Sequence, residues 1–438
     1  MLLCKRRTRC EARVGGSNEP PWMASNKRWA LALLVVLLAL LAAGCTRQKA
    51  ESDQVTLVLA YPADQKTRPL YRETVARFER KHPGIRVRLL EIPKDYYRKV
   101  LVMIAGRNAP DLMWMGQSFA EFATRGAFLD ITDRVARELN LEEYLPQAIQ
   151  WYRIEGKQLG IPFGVDMEFI AYNKKLFDEA GVDYPRDDWT LEEFLEKAKR
   201  LTKDRNGDGR IDQYGFRGGL DCSAFGAQIL AEDGSRACCN TPQMVRHLQF
   251  HLDLAHKWRV APLPDAIQQE GLDIYAAFRQ GRAAMMRMYT WDLPALREQC
   301  REIDWDIVNG PKVVQRGYWA SSQAVLISSE TRHPDEAWLL CKEFFGPEFQ
   351  RSMAQRGLPT NLKIAREVIA ANRERPANLA ALLKASDALY PFPRVAHLSE
   401  LLQHWWNANE SVNCLRATPE VAVARAERAI NRAIARGR

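Results

Sequence analysis

Apolar positions recur with two different periods along most of this chain, and the alternation predicts the order of its elements. Residues 54–62 (QVTLVLAYP) are β-branched and apolar up to Pro62, the pattern of a buried strand. Across 69–84 the apolar residues Leu70, Val75 and Phe78 keep helical spacing, and Pro83-Gly84 end the helix. A second strand is expected at 85–93, then a helix over YYRKVLVMIAGRNAP, then a short buried strand at 111–116 (DLMWMG). Strands alternating with helices imply a parallel sheet covered by helices. In such sheets ligands bind beyond the carboxyl ends of the strands.

A second unit opens near GIPFGVDMEFIAYNKKLFDEAGV. MEFIAYN (167–173) reads as a strand, and KKLFDEAG as a short helix ended by Gly181. The next helix, TLEEFLEKAKRLTKD, starts with Thr190 as N-cap and Glu193 completing a capping box. Helices are expected at 242–258, 271–280 and 333–346, and strands at 282–289 and 317–329. From about residue 361 the pattern is mostly helical, and no internal repeat stands out.

One run breaks both periods. Residues 29–44 carry no charge and follow Lys27 and Arg28. The run falls short of the ~20 apolar residues that a membrane-crossing helix needs. A basic flank, a short apolar stretch and a small-residue end make an export signal. Its end, Ala42, Ala43, Gly44 and Cys45, resembles the lipobox of bacterial lipoproteins, with Ala where the pattern prefers Leu three places before the cysteine. The resemblance implies a signal peptide over 1–44 and acylation of Cys45, with 45–53 as a tether at the periplasmic or cell-surface side of a membrane. Two or more acyl chains hold a protein stably on a bilayer. Met23 begins a complete signal by itself and reads as the true start.

The 393 residues after Cys45 exceed one compact core and predict two lobes. They hold 56 Lys/Arg against 52 Asp/Glu, a net charge of +4 with much of the excess in RAERAINRAIARGR at the end. That balance excludes the electrostatic footprint of a nucleic-acid binder. Six cysteines remain: Cys222, Cys238, Cys239, Cys300, Cys341 and Cys414. An exported chain permits a bridge from Cys222 to Cys238 or Cys239, and buried free thiols fit as well. No zinc spacing, phosphate loop or nucleophile elbow occurs. His251 and His256 read as residues of a surface helix, and Trp405-Trp406 as core packing or the rim of a cleft. In DRNGDGRID, Asp204, Asn206, Asp208 and Asp212 take the spacing of a calcium loop, but position 12 is Gly215. The loop reads as a solvated turn, so no metal and no cofactor are expected.

Five stretches in family order resemble extracellular solute-binding protein family 1, the carbohydrate-binding lipoproteins of ABC importers. They are APDLMWM (109–115), RGAFLDIT (125–132), residues 160–202 with their Gly-x-Pro turn and Trp189-Thr190, FRQGRAAMMRMYTW (278–291) and GLPTN (357–361). The resemblance implies an α/β fold of two lobes with sugar in the cleft between them. Residues 54–160 and 308–350 would form the first lobe, and 161–307 and 351–438 the second. It further implies a monomeric, non-catalytic receptor that hands its ligand to permease subunits. Two alternatives stay open: a lipoprotein that reports ligand to a membrane kinase, and an exported carbohydrate-active enzyme. The expected ligand contacts are Tyr61 and Asp64 after the first strand and Gln117 after the third. Asp166 and Glu168 are expected where the chain crosses between lobes. Trp291 and Asp292 follow the 282–289 strand, and Tyr318 and Trp319 lie on the return to the first lobe. The resemblance puts a sugar-facing tryptophan at Trp291.

Overall fold

A computed structural model describes residues 54–436, apart from 232, 264–266, 268–270, 392–394 and 396–397. Residues from Thr56 onward form one compact unit. The expected signal, Met23, Cys45 and the 45–53 tether lie outside the described residues. Among the described residues no helix is long and apolar enough to cross a membrane.

The first elements follow the apolar periods closely: β1 (Val55–Tyr61), α1 (Arg68–Lys81), β2 (Ile85–Glu91), α2 (Tyr96–Ala105) and β3 (Leu112–Met115). β1 pairs in parallel with β3, Leu59 opposite Leu112, and carries Leu57, Leu59, Ala60 and Tyr61 into the core. β4 (Pro162–Asn173) has twelve residues, every one buried. Next come α3 (Lys174–Ala180), which Gly181 ends at a φ of +60°, and α4 (Leu191–Leu201). The capping box forms: the Glu193 N–H donates to Oγ1 of Thr190 at 3.2 Å, and the Thr190 N–H donates to Oε2 of Glu193 at 2.8 Å. The chain continues through β5 (Tyr214–Arg217), α5 (Pro242–His256), β6 (Ala283–Tyr289), β7 (Trp305–Val308) and β8 (Tyr318–Ile327). It ends with α6 (Pro334–Phe345), α7 (Pro347–Met353), β9 (Leu358–Pro359), α8 (Leu362–Ala371), β10 (Leu389–Pro391), α9 (Leu398–Asn413) and α10 (Pro419–Arg436).

The main sheet has the order β2-β1-β3-β8-β4-β6-β5. It is mixed rather than all parallel, because β8 runs antiparallel to both β3 and β4 and β6 runs antiparallel to β4. β4 and β8 enter as long returning strands rather than through a crossover helix, which is what parallel pairing requires. β4 joins the two halves. Its first part pairs with β8, Asp166 opposite Ser321, and its second with β6, Glu168 opposite Tyr289. β9 pairs with the first part of β4, Leu358 opposite Val165, and α7 packs on α1 and α6. Those contacts place 347–359 beside the first half of the sheet.

Three of the apolar clusters among the described residues bear on the site. One surrounds the first half of the sheet and the crossing strand. A second surrounds α4, β5 and Phe250, and a third holds α5, α9 and α10 together with Cys222 and Cys239. Cys222, Cys238 and Cys239 are all unbridged, and burial pushes the Cys239 thiol up to about 12.

Candidate functional site

Strand direction decides where a cavity forms. β5 and β6 run parallel, so the segments after them, Gly218–Cys222 and Thr290–Asp292, emerge on one side. Gln117 follows β3, and Trp319 stands near the start of β8. With His247 and His251 of α5 and one face of α9 (Leu402, Trp405, Trp406, Asn409, Asn413), these residues line a cavity of about 510 Å³.

Its aromatic wall is a corner. The Tyr289 and Trp291 rings stack at 4.4 Å, and Trp319 meets both edge-on, at 5.2 Å from Tyr289 and 5.5 Å from Trp291. Trp291 is 38% exposed although most of β6 is buried, because it sits in the short turn that ends the strand. On α9, Trp406 is exposed and Trp405 is buried against the third cluster. Trp405-Trp406 thus supplies both core packing and cavity wall.

The polar side of the cavity is built on Arg287 and Asp221. The Arg287 guanidinium lies over the Tyr289 ring at 5.6 Å and approaches Oε2 of Glu168 at 3.5 Å. Glu168 is 6% exposed, and burial drives its carboxyl up to about 8 although Arg287 pulls the other way. Burial thus weakens the hold of Glu168 on Arg287, whose charge is also attracted by Asp221. Oδ1 of Asp221 accepts from the N–H and the hydroxyl of Ser223, at 2.9 and 2.5 Å, which holds the side chain at the wall.

Two histidines clasp the loop that carries Asp221. Nε2 of His251 accepts from the Leu220 N–H at 3.1 Å, and Nε2 of His247 lies 3.1 Å from the Leu220 carbonyl as its donor. Burial favours the neutral imidazole, holding His247 down at about 4 and His251 well below the usual histidine range. His251 is therefore not the surface residue that the sequence pattern suggested; only His256 is exposed. The loop reaches the histidines because it has no side chains at two positions. A Cβ on Gly219 would lie 2.5 Å from Cε1 of His251, and Gly218 adopts a φ of +139° with Arg287 behind it.

Of the nine expected contacts, Gln117, Trp291 and Trp319 line this cavity and six do not. Tyr61 is buried, stacked on Tyr71 at 4.1 Å, and donates to Glu91. Asp64 caps its own turn through the N–H groups of Lys66 and Thr67 and pairs with Arg356 at 3.3 Å. Asp166 is buried on β4 with Thr290 and Gln323 as partners, and burial raises its carboxyl to about 6. Glu168 stands behind Arg287. Asp292 accepts from the Tyr275 hydroxyl at 2.7 Å and the Tyr289 N–H at 2.9 Å, fixing the turn that presents Trp291. The Tyr318 hydroxyl donates to the Gly310 carbonyl. Tyr61, Asp64, Asp292 and Tyr318 stand at or just beyond strand ends, and Asp166 and Glu168 lie within the crossing strand β4, but each of the six side chains is engaged by a partner within the protein. Arg287, Tyr289, Asp221 and the α9 face were not among the expected contacts. The alternation of β6 offered the signal for the first two, since Arg287 and Tyr289 share one face of that strand.

In DRNGDGRID the acidic oxygens bond to backbone N–H groups. Asp204 accepts from Gly207 and Gly209, and Asp208 from Arg210. Among the described residues no group of three His, Cys, Asp or Glu side chains is arranged to hold a metal ion.

An aromatic corner beside a guanidinium and a carboxylate, set where the two halves of one mixed sheet meet, defines a two-lobed α/β binding-protein fold. Solved structures share it. A Listeria monocytogenes ABC substrate-binding protein in complex with cycloalternan superposes with a TM-score of 0.75 at 23% identity, covering 87% of this chain and 100% of that one. The maltose/maltodextrin-binding domain of Bdellovibrio bacteriovorus bound to maltotriose gives 0.69 at 20% identity over the same shares. Residues 63–351 match the family model for bacterial extracellular solute-binding proteins, and the chain belongs to that family. A Brucella abortus binding protein is 24% identical over 421 residues, spanning 91% of this chain and 96% of its own. The maltotriose-binding protein of Pyrococcus abyssi is 21% identical over 322 residues, 70% of this chain and 66% of its own.

Proposed function

We propose that this protein is a non-catalytic receptor that captures an oligosaccharide outside the cytoplasm for an ABC importer, held at the membrane through an acylated Cys45. The observation that carries the reading is the Tyr289–Trp291–Trp319 corner next to Arg287 and Asp221. Sugars present apolar C–H faces and hydroxyls in the ring plane. Flat aromatic faces take the former, and a guanidinium, a carboxylate and the amides of Gln117, Asn409 and Asn413 take the latter. A volume of about 510 Å³ suits a ligand of two or more sugar units better than one. The crossing strand lets the two halves close over the ligand, and the closed form is what a permease would recognise. Relatives named for maltotriose, arabinooligosaccharide and multiple-sugar binding support the substrate class.

The test is a titration of tryptophan fluorescence and thermal stability against a panel of neutral di- to tetrasaccharides. Saturable quenching with a concentration-dependent rise in melting temperature is expected for at least one glycan. A flat response across the panel, or turnover of a glycan by the purified chain, overturns the reading.

A further inference from the structure

The last helix carries a charge pattern that the cavity does not use. α10 buries Val423, Ala426 and Ile430 against α5 and α9. Its arginines Arg425, Arg428, Arg432 and Arg436 are all exposed. At about 100° per residue these four fall within an arc of about 80°, while Glu420 and Glu427 fall well outside it. The stripe therefore has no carboxylate of its own helix. Arg436 pairs with Glu400 of α9 at 2.7 Å, and the other three make no ion pair among the described residues. A second observation lies at the start of the same helix. Leu415, in the turn before α10, is 65% exposed, and Val421, within the arginine arc, is 41% exposed.

We propose that this face of α10 and the turn before it dock on an anionic phospholipid bilayer. Arginines in a row meet the headgroup charge, and the two apolar side chains at one end enter the boundary with the acyl region. An acidic protein surface would answer the arginines but would leave Leu415 and Val421 without a reason for exposure. A bilayer interface answers both. The docking does not depend on an acyl group at Cys45.

The experiment uses the chain from Thr46 onward, which keeps the whole compact unit and lacks the leader and Cys45. It is floated with vesicles of phosphatidylcholine alone or with 30% phosphatidylglycerol. Binding is expected only to the anionic vesicles, and to weaken strongly between 50 and 500 mM salt. Each arginine near the surface contributes about five-fold to partitioning, so R425Q/R428Q/R432Q is expected to lose about 100-fold. The triple lysine variant R425K/R428K/R432K keeps the charge and retains binding, and L415S/V421S weakens it at every salt concentration. Circular dichroism melts check that the variants fold. Wild-type protein that stays free of anionic vesicles, or a glutamine variant that folds and binds like wild type, overturns the proposal, even if an acidic protein is retained by the same face.

Discussion

Replacing Trp291 with alanine isolates the aromatic corner from the rest of the cavity. One face of its indole is covered by Tyr289 at 4.4 Å, and the residue is 38% exposed. A side chain of this size offers about 250 Å² when free, so about 95 Å² remains for a ligand at that exposure. A sugar ring that covers half of it removes about 50 Å² from water, about 1.2 kcal/mol. Contacts between ring carbons and the indole add about 1 kcal/mol over roughly six atom pairs. The expected loss is thus about 2 kcal/mol, or about thirty-fold in Kd. Trp291 stands in a turn that Asp292 fixes through Tyr275 and the Tyr289 N–H, so the alanine variant keeps its fold. Isothermal titration with the best glycan of the panel reads the affinity, and a melting curve reads the fold. Unchanged affinity in a folded variant refutes the stacking argument. A cooperative loss of structure shows instead that Trp291 belongs to the core.

Three further outcomes follow from the same structure. Below pH 6.5 the unfolded chain takes up a proton that folded His247 refuses until about pH 4, so this one group takes away about 3 kcal/mol of stability through that window. Denaturant titrations from pH 4 to 7 should show this share as a difference, with H247N losing less stability towards pH 4 than wild type while His251 still contributes; an equal slope in both removes His247 as a source. G219A puts a Cβ 2.5 Å from the His251 ring and should cost about 1–3 kcal/mol while displacing Asp221 from the wall. A G219A protein with wild-type melting and affinity contradicts the close approach of loop and ring. C45S should move the protein from the membrane fraction to the soluble periplasmic or extracellular fraction, and a C45S protein that still carries radiolabelled palmitate disposes of the lipid assignment.

Most elements were legible because burial and chain geometry act locally. The Thr190–Glu193 box, the stop at Gly181 and the buried run of β1 each need only neighbours within a turn or a strand. The start of β4 was hidden, since Gly164 and Asp166 interrupt its apolar run and are buried only because β8 and β9 cover them. The site was legible in location and not in membership. Strand ends gave Gln117 and Trp291, and the resemblance gave Trp319 on the return to the first lobe, but the direction of each side chain depends on partners far along the sequence. Asp166 turns to Gln323, and Tyr61 to Glu91 and Tyr71. The α9 wall comes from residues about 115 positions beyond the Trp291 turn, a distance over which no pattern in the chain pairs one segment with another.

The crossing strands also set a timetable. β3 has β1 on one side and waits for β8 on the other, with Leu112 opposite Ile327. β4 likewise waits for β8 along its first part and for β6 and β7 along its second. More than 200 residues must therefore emerge before the first half of the sheet is closed on both sides, and contacts so distant in sequence form slowly. A fragment ending before β8 would expose the edges of β3 and β4 as bare templates for misassembly. Under the export proposed above, with the chain passing the membrane as an extended thread, such delay would be an advantage: the sheet would close only after the thread is through.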